Sequence, residues 1–235
     1  MVIKNREQFL LNIAANLGRP VRTEVKRPKW RYQPQHDILK NATQDELVEV
    51  LQKQCQNIHT TCHITTSAEL SNTLRKIVEG FGGESVITWK DDRYAQLGLT
   101  SLFNEFKEEN IDIYEWNEHT PEENILQAEK ANIGIAISEM TLAESATTVL
   151  YSNKYRGRTM NFLPKKSIVL IPKSTIIPRM TQAATHIHKQ IEKGEAISSC
   201  ILFMTGPSNS ADIEMVLIVG VHGPVKATYI VIEDI

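Results

Sequence analysis

Between residues 43 and 137, short apolar runs alternate with stretches whose apolar side chains recur at helical spacing. The first helix of this region has the pattern of a capping box, with Thr43 at its N-cap and Glu46 three residues later. Strand and helix alternation with short loops is typical of a parallel sheet covered by helices on both faces. The sequence therefore predicts helices over 43–56, 67–82, 93–109 and 121–130, and strands over 61–65, 85–89, 111–116 and 133–137.

The pattern changes after residue 132. Strands are predicted at 146–151 and 167–171, close enough in sequence to suggest an antiparallel or mixed edge. A long helix over 174–194 and two buried strands, at 201–204 and 227–232, complete the chain. The resulting fold class is α/β, with three layers around a mainly parallel sheet.

The N-terminal part reads differently from the rest. Residues 3–17 place apolar side chains on one helical face, and residues 19–36 are basic, contain three prolines and show no periodicity. We expect Trp30 and Tyr32 to pin this arm to its own domain or to another protomer of a homo-oligomer; stacking on a base or ring is the alternative. The predicted organisation is an N-terminal helix and extended arm over 1–37, followed by an α/β domain over 38–235.

Composition excludes several classes of protein. The net charge is −2, which gives no reason to expect a nucleic-acid partner. No run of about 18 apolar residues suggests a membrane span, and the N-terminus lacks the pattern of a signal peptide, so we expect a cytoplasmic protein. The three cysteines have no CxxC spacing and are too few for the usual four thiolates of an iron–sulfur cluster. We therefore expect no metal and no cofactor in this chain.

One polar stretch, residues 206–224, separates the last two predicted strands, and strand ends are where open α/β sheets build their sites. Glu214 and His222 are candidate acid and base residues, although a histidine here could instead be a core residue bonded to a carbonyl. The candidate ligand-binding residues of this stretch, some of them in a backbone nest for an anion, are Gly206, Ser208, Asn209, Ser210, Asp212 and Gly223.

Three further segments could carry chemistry. Glu144 beside Ser145 follows a strand and could be a carboxylate nucleophile or base; a solvated turn is the alternative. The cationic segment 153–158, with Arg158, could hold a phosphate or carboxylate, or could be an exposed charged hairpin.

The third segment lies at 171–179. Ser174 and Thr175 at a helix start would leave free N–H groups for an anion, with Lys173 and Arg179 adding charge; plain capping is the alternative.

Three segments carry a family resemblance: TLAESATTVLYSNKYRGR, IPKSTIIPRM and GPSNSADIEMVLIVGVHGPVKATYIVIED. They resemble the LUD-domain family of lactate utilization proteins. The resemblance implies an α/β fold similar to the NagB/RpiA/CoA-transferase-like group. It also implies a role in oxidising L-lactate to pyruvate together with iron–sulfur partner subunits, in which this chain is the component without a cluster.

Three hypotheses follow. The first is a non-catalytic or accessory subunit of an L-lactate-oxidising complex, with the N-terminal helix and arm as its partner surface. The second is a stand-alone transferase or isomerase of a small anion, using Glu144 or Glu214 as nucleophile or base and His222 as proton carrier. The third is a carboxylate-sensing module with arginine ligands, for which Arg156, Arg158 and Arg179 are candidates.

Overall fold

The structure, a computed structural model, describes residues 4–24, 26, 28–212 and 215–235. The chain forms two compact units, residues 1–35 and residues 36–235. Within the described residues, twelve strands occur in chain order: β1 (Thr60–Thr65), β2 (Ser85–Thr88), β3 (Asp112–Glu115), β4 (Ile133–Ile137), β5 (Met140–Leu142), β6 (Thr147–Ser152), β7 (Lys166–Pro172), β8 (Ile176–Ile177), β9 (Cys200–Thr205), β10 (Asn209–Ser210), β11 (Ile218–Val219) and β12 (Lys226–Ile232).

The helices of the same residues alternate with these strands over much of the chain. They are α1 (Arg6–Asn16), α2 (Gln44–Asn57), α3 (Leu70–Gly80), α4 (Arg93–Gln96), α5 (Thr100–Glu108), α6 (Pro121–Lys130) and α7 (Met180–Glu192), with short 3₁₀ turns at Pro34–His36, Arg158–Asn161 and Lys173–Thr175.

The smaller unit contains α1 and the arm that follows it. The predicted helix is present over Arg6–Asn16, while Ile3 of its predicted apolar face lies outside the described residues. Phe9, Leu11 and Leu17 are more than half exposed, as are Trp30 and Tyr32 of the arm.

The central sheet is entirely parallel and has the strand order β1-β12-β7-β4-β2-β3. Every residue of β4 is buried, as expected for a strand covered on both faces. This sheet confirms the predicted α/β class with a mainly parallel sheet, and α1 confirms the N-terminal helical extension.

The helices that follow the first strands have the amphipathic faces expected from the sequence. Leu70, Leu74 and Val78 of α3 are fully buried, and each such side chain contributes about 1.5–3 kcal/mol by leaving water. The capping box of α2 is confirmed, because the Glu46 N–H donates to Thr43 Oγ1 and the Thr43 N–H donates to the Glu46 carboxylate.

A second sheet with the order β8-β5-β6-β9 packs against the central one. It pairs antiparallel at β5–β6 and β6–β9. The prediction that 146–151 and 167–171 belong to one antiparallel or mixed edge is wrong, because β6 lies in this second sheet while β7 pairs in parallel with β4 and β12 in the interior of the central sheet. Leu150 of β6 and Ala143 are buried in the same core as Tyr229 of β12. Strand β9 is only partly buried, so the prediction of a buried strand at 201–204 is wrong.

Two predicted helices differ from the observed ones. The helix expected over 93–109 is split into α4 and α5 because Gly98 adopts a φ of 72°, which ends the first helical turn. The helix expected from Ser174 begins only at Met180, because the preceding residues form a 3₁₀ turn and then pair as β8 with β5.

Candidate functional site

The order of the central sheet reverses between β2 and β4. The chain leaves β2 towards β3 on one side, and leaves β4 towards β7 on the other. In open α/β sheets, the crevice at the carboxyl ends of two such strands is the usual place for a ligand. The residues that follow β2 and β4 are therefore the first place to look for a site.

Four charged side chains meet at this point and are called here the switch-point cluster: Asp91, Arg93, Glu139 and Arg156. Asp91 and Arg93 follow β2, Glu139 follows β4, and Arg156 comes from the turn after β6. Three different parts of the chain thus supply one cluster, which only the folded sheet brings together.

Each carboxylate of the cluster contacts both guanidinium groups. Asp91 Oδ2 lies 2.7 Å from Arg93 Nη2 and 2.9 Å from Arg156 Nε. Glu139 Oε1 lies 2.8 Å from Arg93 Nη2 and 2.6 Å from Arg156 Nη1. The Asp91 side chain is only 2% exposed, whereas the other three retain about a quarter of their exposure. The cluster is therefore anchored on its most buried member.

The surroundings keep Asp91 and Arg93 ionised. Burial by itself would raise the pKa of Asp91, but the hydrogen bonds and charge of Arg93, with the charge of Arg156, hold that pKa below its ordinary value. Burial would likewise lower the pKa of Arg93, yet its hydrogen bonds to Asp91 and the charge of Glu139 raise it. Asp91 and Arg93 thus stabilise each other in the charged form.

The turn from Asn153 to Gly157 presents Arg156 to the cluster. The backbones of Asn153 and Arg156 exchange two hydrogen bonds of 3.1 Å, and the Lys90 N–H donates to Tyr155 O at 3.2 Å. Trp89 Nε1 donates to Gly157 O at 3.2 Å. The turn is thereby tied to the residues that directly follow β2.

A side chain at Gly157 would overlap the ring of Trp116, which follows β3. Glycine allows the turn to approach this ring closely. Close packing at this position sets how far the turn reaches over the carboxyl end of the sheet.

Two cavities adjoin the cluster. One, of about 470 Å³, is lined by Lys90, Asp91, Asp92, Arg93, Asn153, Tyr155 and Arg156. The other, of about 610 Å³, is lined by Glu139 and by residues of the 3₁₀ turn and α7, including Ser174, Thr175, Gln182, His186 and Lys189. Glu139 therefore borders the larger cavity while bonding to the two arginines that line the smaller one.

The stretch 206–224 lies at strand ends, as predicted, but not at the carboxyl end of a central strand. It leads from the end of β9 in the second sheet to the start of β12, so it lies at the amino end of a central strand, not at a carboxyl end. A shallow cavity of about 310 Å³ is nevertheless lined by five of the predicted residues: Gly206, Ser208, Asn209, His222 and Gly223.

Several backbone groups of this stretch form hydrogen bonds within the protein. The Ser208 N–H donates to Pro224 O at 2.9 Å, and the Gly206 N–H donates to the Tyr229 hydroxyl at 3.0 Å. The predicted anion nest therefore has at least two of its N–H groups already occupied. Ser210 Oγ donates to the Asp212 carboxylate at 2.5 Å, and Glu214 lies outside the described residues.

Glu144 and Ser145 do not line that cavity. The Glu144 carboxylate pairs with Arg179 Nε at 2.8 Å, and Ser145 Oγ bonds to Thr147 Oγ1 at 2.7 Å. The two polar segments approach each other through the buried Tyr229 hydroxyl, which donates to Ala146 O at 3.1 Å. The structure thus brings the segments together by their backbones and leaves Glu144 and His222 in separate surroundings.

The remaining predicted ligand residues are dispersed. Lys173 pairs with Asp45 of α2, and the Ser174 N–H donates to Ile235 O at 2.9 Å, so this 3₁₀ turn offers no free N–H at Ser174. The predicted capping of a helix by Ser174 is wrong, since α7 starts after Arg179. Arg158 is exposed and has no side-chain hydrogen bond or ion pair with the described residues.

Asp91 and Arg93 were missed by the sequence analysis. The available signal was their position, since the charged run Lys90-Asp91-Asp92-Arg93 directly follows the predicted strand 85–89. Nothing in the sequence pairs this run with Glu139 and Arg156, which lie 46 or more residues further along the chain from Arg93.

No group of three or more histidine, cysteine or acidic side chains in the described part of the chain could hold a metal ion. No helix in it combines the length and the apolar character that crossing a membrane requires.

Comparison with known proteins shows similarity to one protein family over nearly the full length of the chain. A family model described as the LUD domain matches residues 48–232. The lactate utilization protein C of Geobacillus sp. (strain WCH70) is 55% identical over 234 residues, which cover 99% of this chain and 97% of that protein. The protein of the same name from Macrococcus caseolyticus (strain JCSC5402) is 48% identical over 232 residues, covering 99% and 97%.

A solved structure has a similar fold. The crystal structure of a DUF162 family protein from Deinococcus radiodurans superposes with a TM-score of 0.57, covering 81% of this chain and 99% of that chain. The sequence identity is 14%, so this likeness concerns the fold alone.

Proposed function

The chain belongs to the LUD-domain family, and from this we propose that it is a component of an L-lactate utilization system. The observation that carries the proposal is the near full-length similarity, at about half identity, to proteins named lactate utilization protein C. Alignment over 99% of this chain and 97% of the relative includes the N-terminal helix and arm as well as the α/β domain. The proposed role thus concerns the whole chain.

We propose further that the redox cofactors of this system are iron–sulfur clusters carried by partner subunits. Oxidation of L-lactate to pyruvate releases two electrons and two protons, so an electron acceptor must be close to the bound lactate. The chain has three cysteines, one fewer than the usual ligand set of a cluster. Cys55 of α2 is hydrogen-bonded to Cys62 of β1 in the central sheet, whereas Cys200 is in β9 of the second sheet. Partner subunits would therefore hold the clusters.

The N-terminal unit is the proposed contact surface for these partners. Its exposed apolar side chains are grouped on a short helix, and the arm that follows carries Arg19, Arg22, Lys29 and Arg31. Exposed apolar groups rimmed by charge are typical of protein–protein contacts.

A deletion and complementation experiment tests the proposal. A strain without the gene should fail to grow on L-lactate as sole carbon source while growing normally on pyruvate, and the wild-type gene should restore growth. Purification of the tagged protein from lactate-grown cells should recover iron–sulfur subunits and lactate-dependent reduction of an electron acceptor. Unchanged growth of the deletion strain on L-lactate would refute the role.

A further inference from the structure

We propose that the switch-point cluster binds a small monocarboxylate, with Arg93 and Arg156 as the residues that hold its carboxylate group. The inference comes from the geometry of the cluster and goes beyond the lactate utilization role. It needs neither partner subunits nor a redox reaction.

The two arginines have donors to spare. Arg93 uses Nε and Nη2 for Asp91 and Glu139, and Arg156 uses Nε and Nη1 for the same two carboxylates. Among the described residues, neither Arg93 Nη1 nor Arg156 Nη2 makes a hydrogen bond. Each of these nitrogens carries two N–H groups that can donate to a ligand.

The two guanidinium groups are already held in place before a ligand arrives. Asp91 and Glu139 each contact both arginines, and the Asn153–Gly157 turn is bonded to Lys90 and Trp89. Long side chains that are fixed in advance lose little conformational entropy on binding, which favours affinity. The two acids therefore act as positioning residues for the arginines.

The cavity suits a small ligand. Its volume of about 470 Å³ lies in the lower part of the range for small-molecule sites, and it opens where the order of the strands reverses. Arg93 and Arg156 both line it, as does Asn153. Asn153 Oδ1 accepts the Tyr155 N–H at 2.8 Å, which leaves its amide Nδ2 as a donor for a further oxygen of the ligand.

The charged side chains around the cavity favour a ligand with a single negative charge. Asp91, Asp92 and Glu139 lie beside the two arginines. Lys90, the third cation lining the cavity, pairs with Glu118 at 3.2 Å, so the site offers directed N–H donors without a large positive field. A planar carboxylate can accept two N–H bonds from arginine forks. A doubly charged phosphate would meet three nearby carboxylates and should bind more weakly.

Isothermal titration calorimetry on the full chain tests this proposal with L-lactate, pyruvate and inorganic phosphate as probes, at constant ionic strength. We expect saturable binding of at least one monocarboxylate with a Kd on the order of 0.1–10 mM, as suits a few hydrogen bonds in a partly open site. Phosphate should bind at least about tenfold more weakly.

Three variants probe the named residues. Arg93→Gln and Arg156→Gln should each weaken binding by at least about tenfold, because each removes a charged donor. Asn153→Asp keeps the oxygen that caps Tyr155 and replaces the free amide with a negative charge, so it should also weaken binding without disturbing the turn. Lys76→Gln, which removes one positive charge from the exposed face of α3, is the matched control and should bind as the wild type does.

Thermal unfolding of every variant separates loss of the site from loss of the fold. If an arginine variant unfolds, Asn153→Asp still decides the question. Failure of the wild type to bind any monocarboxylate saturably would overturn the inference, as would an equal loss of affinity in Lys76→Gln. The wild-type protein could bind a monocarboxylate while the deletion strain still grows on L-lactate. That pair of results would support the site and refute only the proposed role.

Discussion

The carboxylate of Asp91 contacts both guanidinium groups of the switch-point cluster while only 2% of its side chain is exposed. A buried carboxylate between two arginines is stabilised by its partners and in turn compensates their charges. Removing it would leave two partly buried cations, with Glu139 as the only carboxylate among the described residues that contacts both. At the residue scale, the stability of the α/β domain should therefore depend on the charge of Asp91.

The first prediction concerns Asp91→Asn, which should lower the free energy of unfolding by about 2–4 kcal/mol at pH 7. Because the folded-state pKa of Asp91 is lowered, its contribution is fully present above the unfolded pKa of about 3.9 and is lost as the pH falls through the lower folded value. Urea unfolding at pH 7 and below about pH 4 should show the difference between wild type and variant shrinking in acid. Asp92→Asn, at the exposed neighbour, should change stability by less than about 0.5 kcal/mol.

A difference between wild type and Asp91→Asn that stayed constant down to pH 2 would contradict the lowered pKa of Asp91. Equal destabilisation by Asp92→Asn would show that the stability lost in Asp91→Asn does not come from the burial and ion pairing of Asp91.

The second prediction concerns Tyr229→Phe. The buried hydroxyl accepts the Gly206 N–H and donates to Ala146 O, and burial raises the pKa of this tyrosine. Its removal leaves a partly buried donor and a buried acceptor unpaired, which should cost about 1–3 kcal/mol of stability. Denaturant unfolding measures the loss; Tyr32→Phe, in the exposed arm, is the control and should be neutral. A neutral Tyr229→Phe would mean that water or a shift of the backbone replaces the hydroxyl.

At the scale of elements, the Asn153–Gly157 turn connects the second sheet to the carboxyl end of the first. Its backbone is bonded to Trp89 and Lys90, and its last residue packs against the ring of Trp116. The position of Arg156 in the cluster therefore depends on the packing of a neighbouring glycine.

The third prediction is that Gly157→Ala destabilises the domain by about 1–3 kcal/mol or more, since the new methyl group overlaps the Trp116 ring. It should also weaken monocarboxylate binding by displacing Arg156. Gly80→Ala, at an open position at the end of α3, is the matched control and should leave both properties nearly unchanged. Melting temperature and calorimetry measure the two effects; wild-type values for Gly157→Ala would show that the turn shifts without affecting the site.

At the scale of the whole molecule, the two compact units differ in how they use their apolar residues. The α/β domain buries most of them in one core, whereas the N-terminal unit leaves several exposed on α1 and the arm. An exposed apolar helix followed by a basic arm is the surface through which we propose that the partner subunits bind.

The fourth prediction is that Phe9→Gln together with Leu17→Gln reduces recovery of the iron–sulfur subunits in a pull-down by at least about tenfold, as expected when apolar contacts at an interface are lost. Both side chains are more than half exposed, so the melting temperature should not change. Ile125→Gln, at an exposed position of α6, removes a similar apolar group from the other unit and should not affect recovery. Full recovery with the N-terminal variant would place the partner surface elsewhere.

Much of the fold follows from local patterns. The capping box at Thr43, the spacing of Leu70, Leu74 and Val78, and Pro121 at the start of α6 predict elements that are present within a few residues of the expected bounds. These signals depend on neighbours one to four positions apart, so they can be read without knowing the fold.

The candidate site was harder to predict from the sequence than the fold. The stretch 206–224 was predicted as a site because it is dense in polar groups. Several of its backbone groups, however, form hydrogen bonds with Tyr229 or with Gly220 and Pro224 of the same stretch. Asp91 and Arg93 lie in a short charged run of ordinary appearance, and their importance comes from partners that are distant along the chain.

The sequence by itself determined the α/β class, the N-terminal extension and most of the helices and strands, because propensity, capping and periodicity are local properties of the chain. Only the tertiary structure decided the order of the strands, and with it the point where that order reverses. Because that order places the ends of β2 and β4 side by side, and packing against Trp116 brings Arg156 above them, four charges from three segments form one cluster. Long-range pairing of this kind leaves no periodic trace in the sequence, since it depends on the packing of whole sheets.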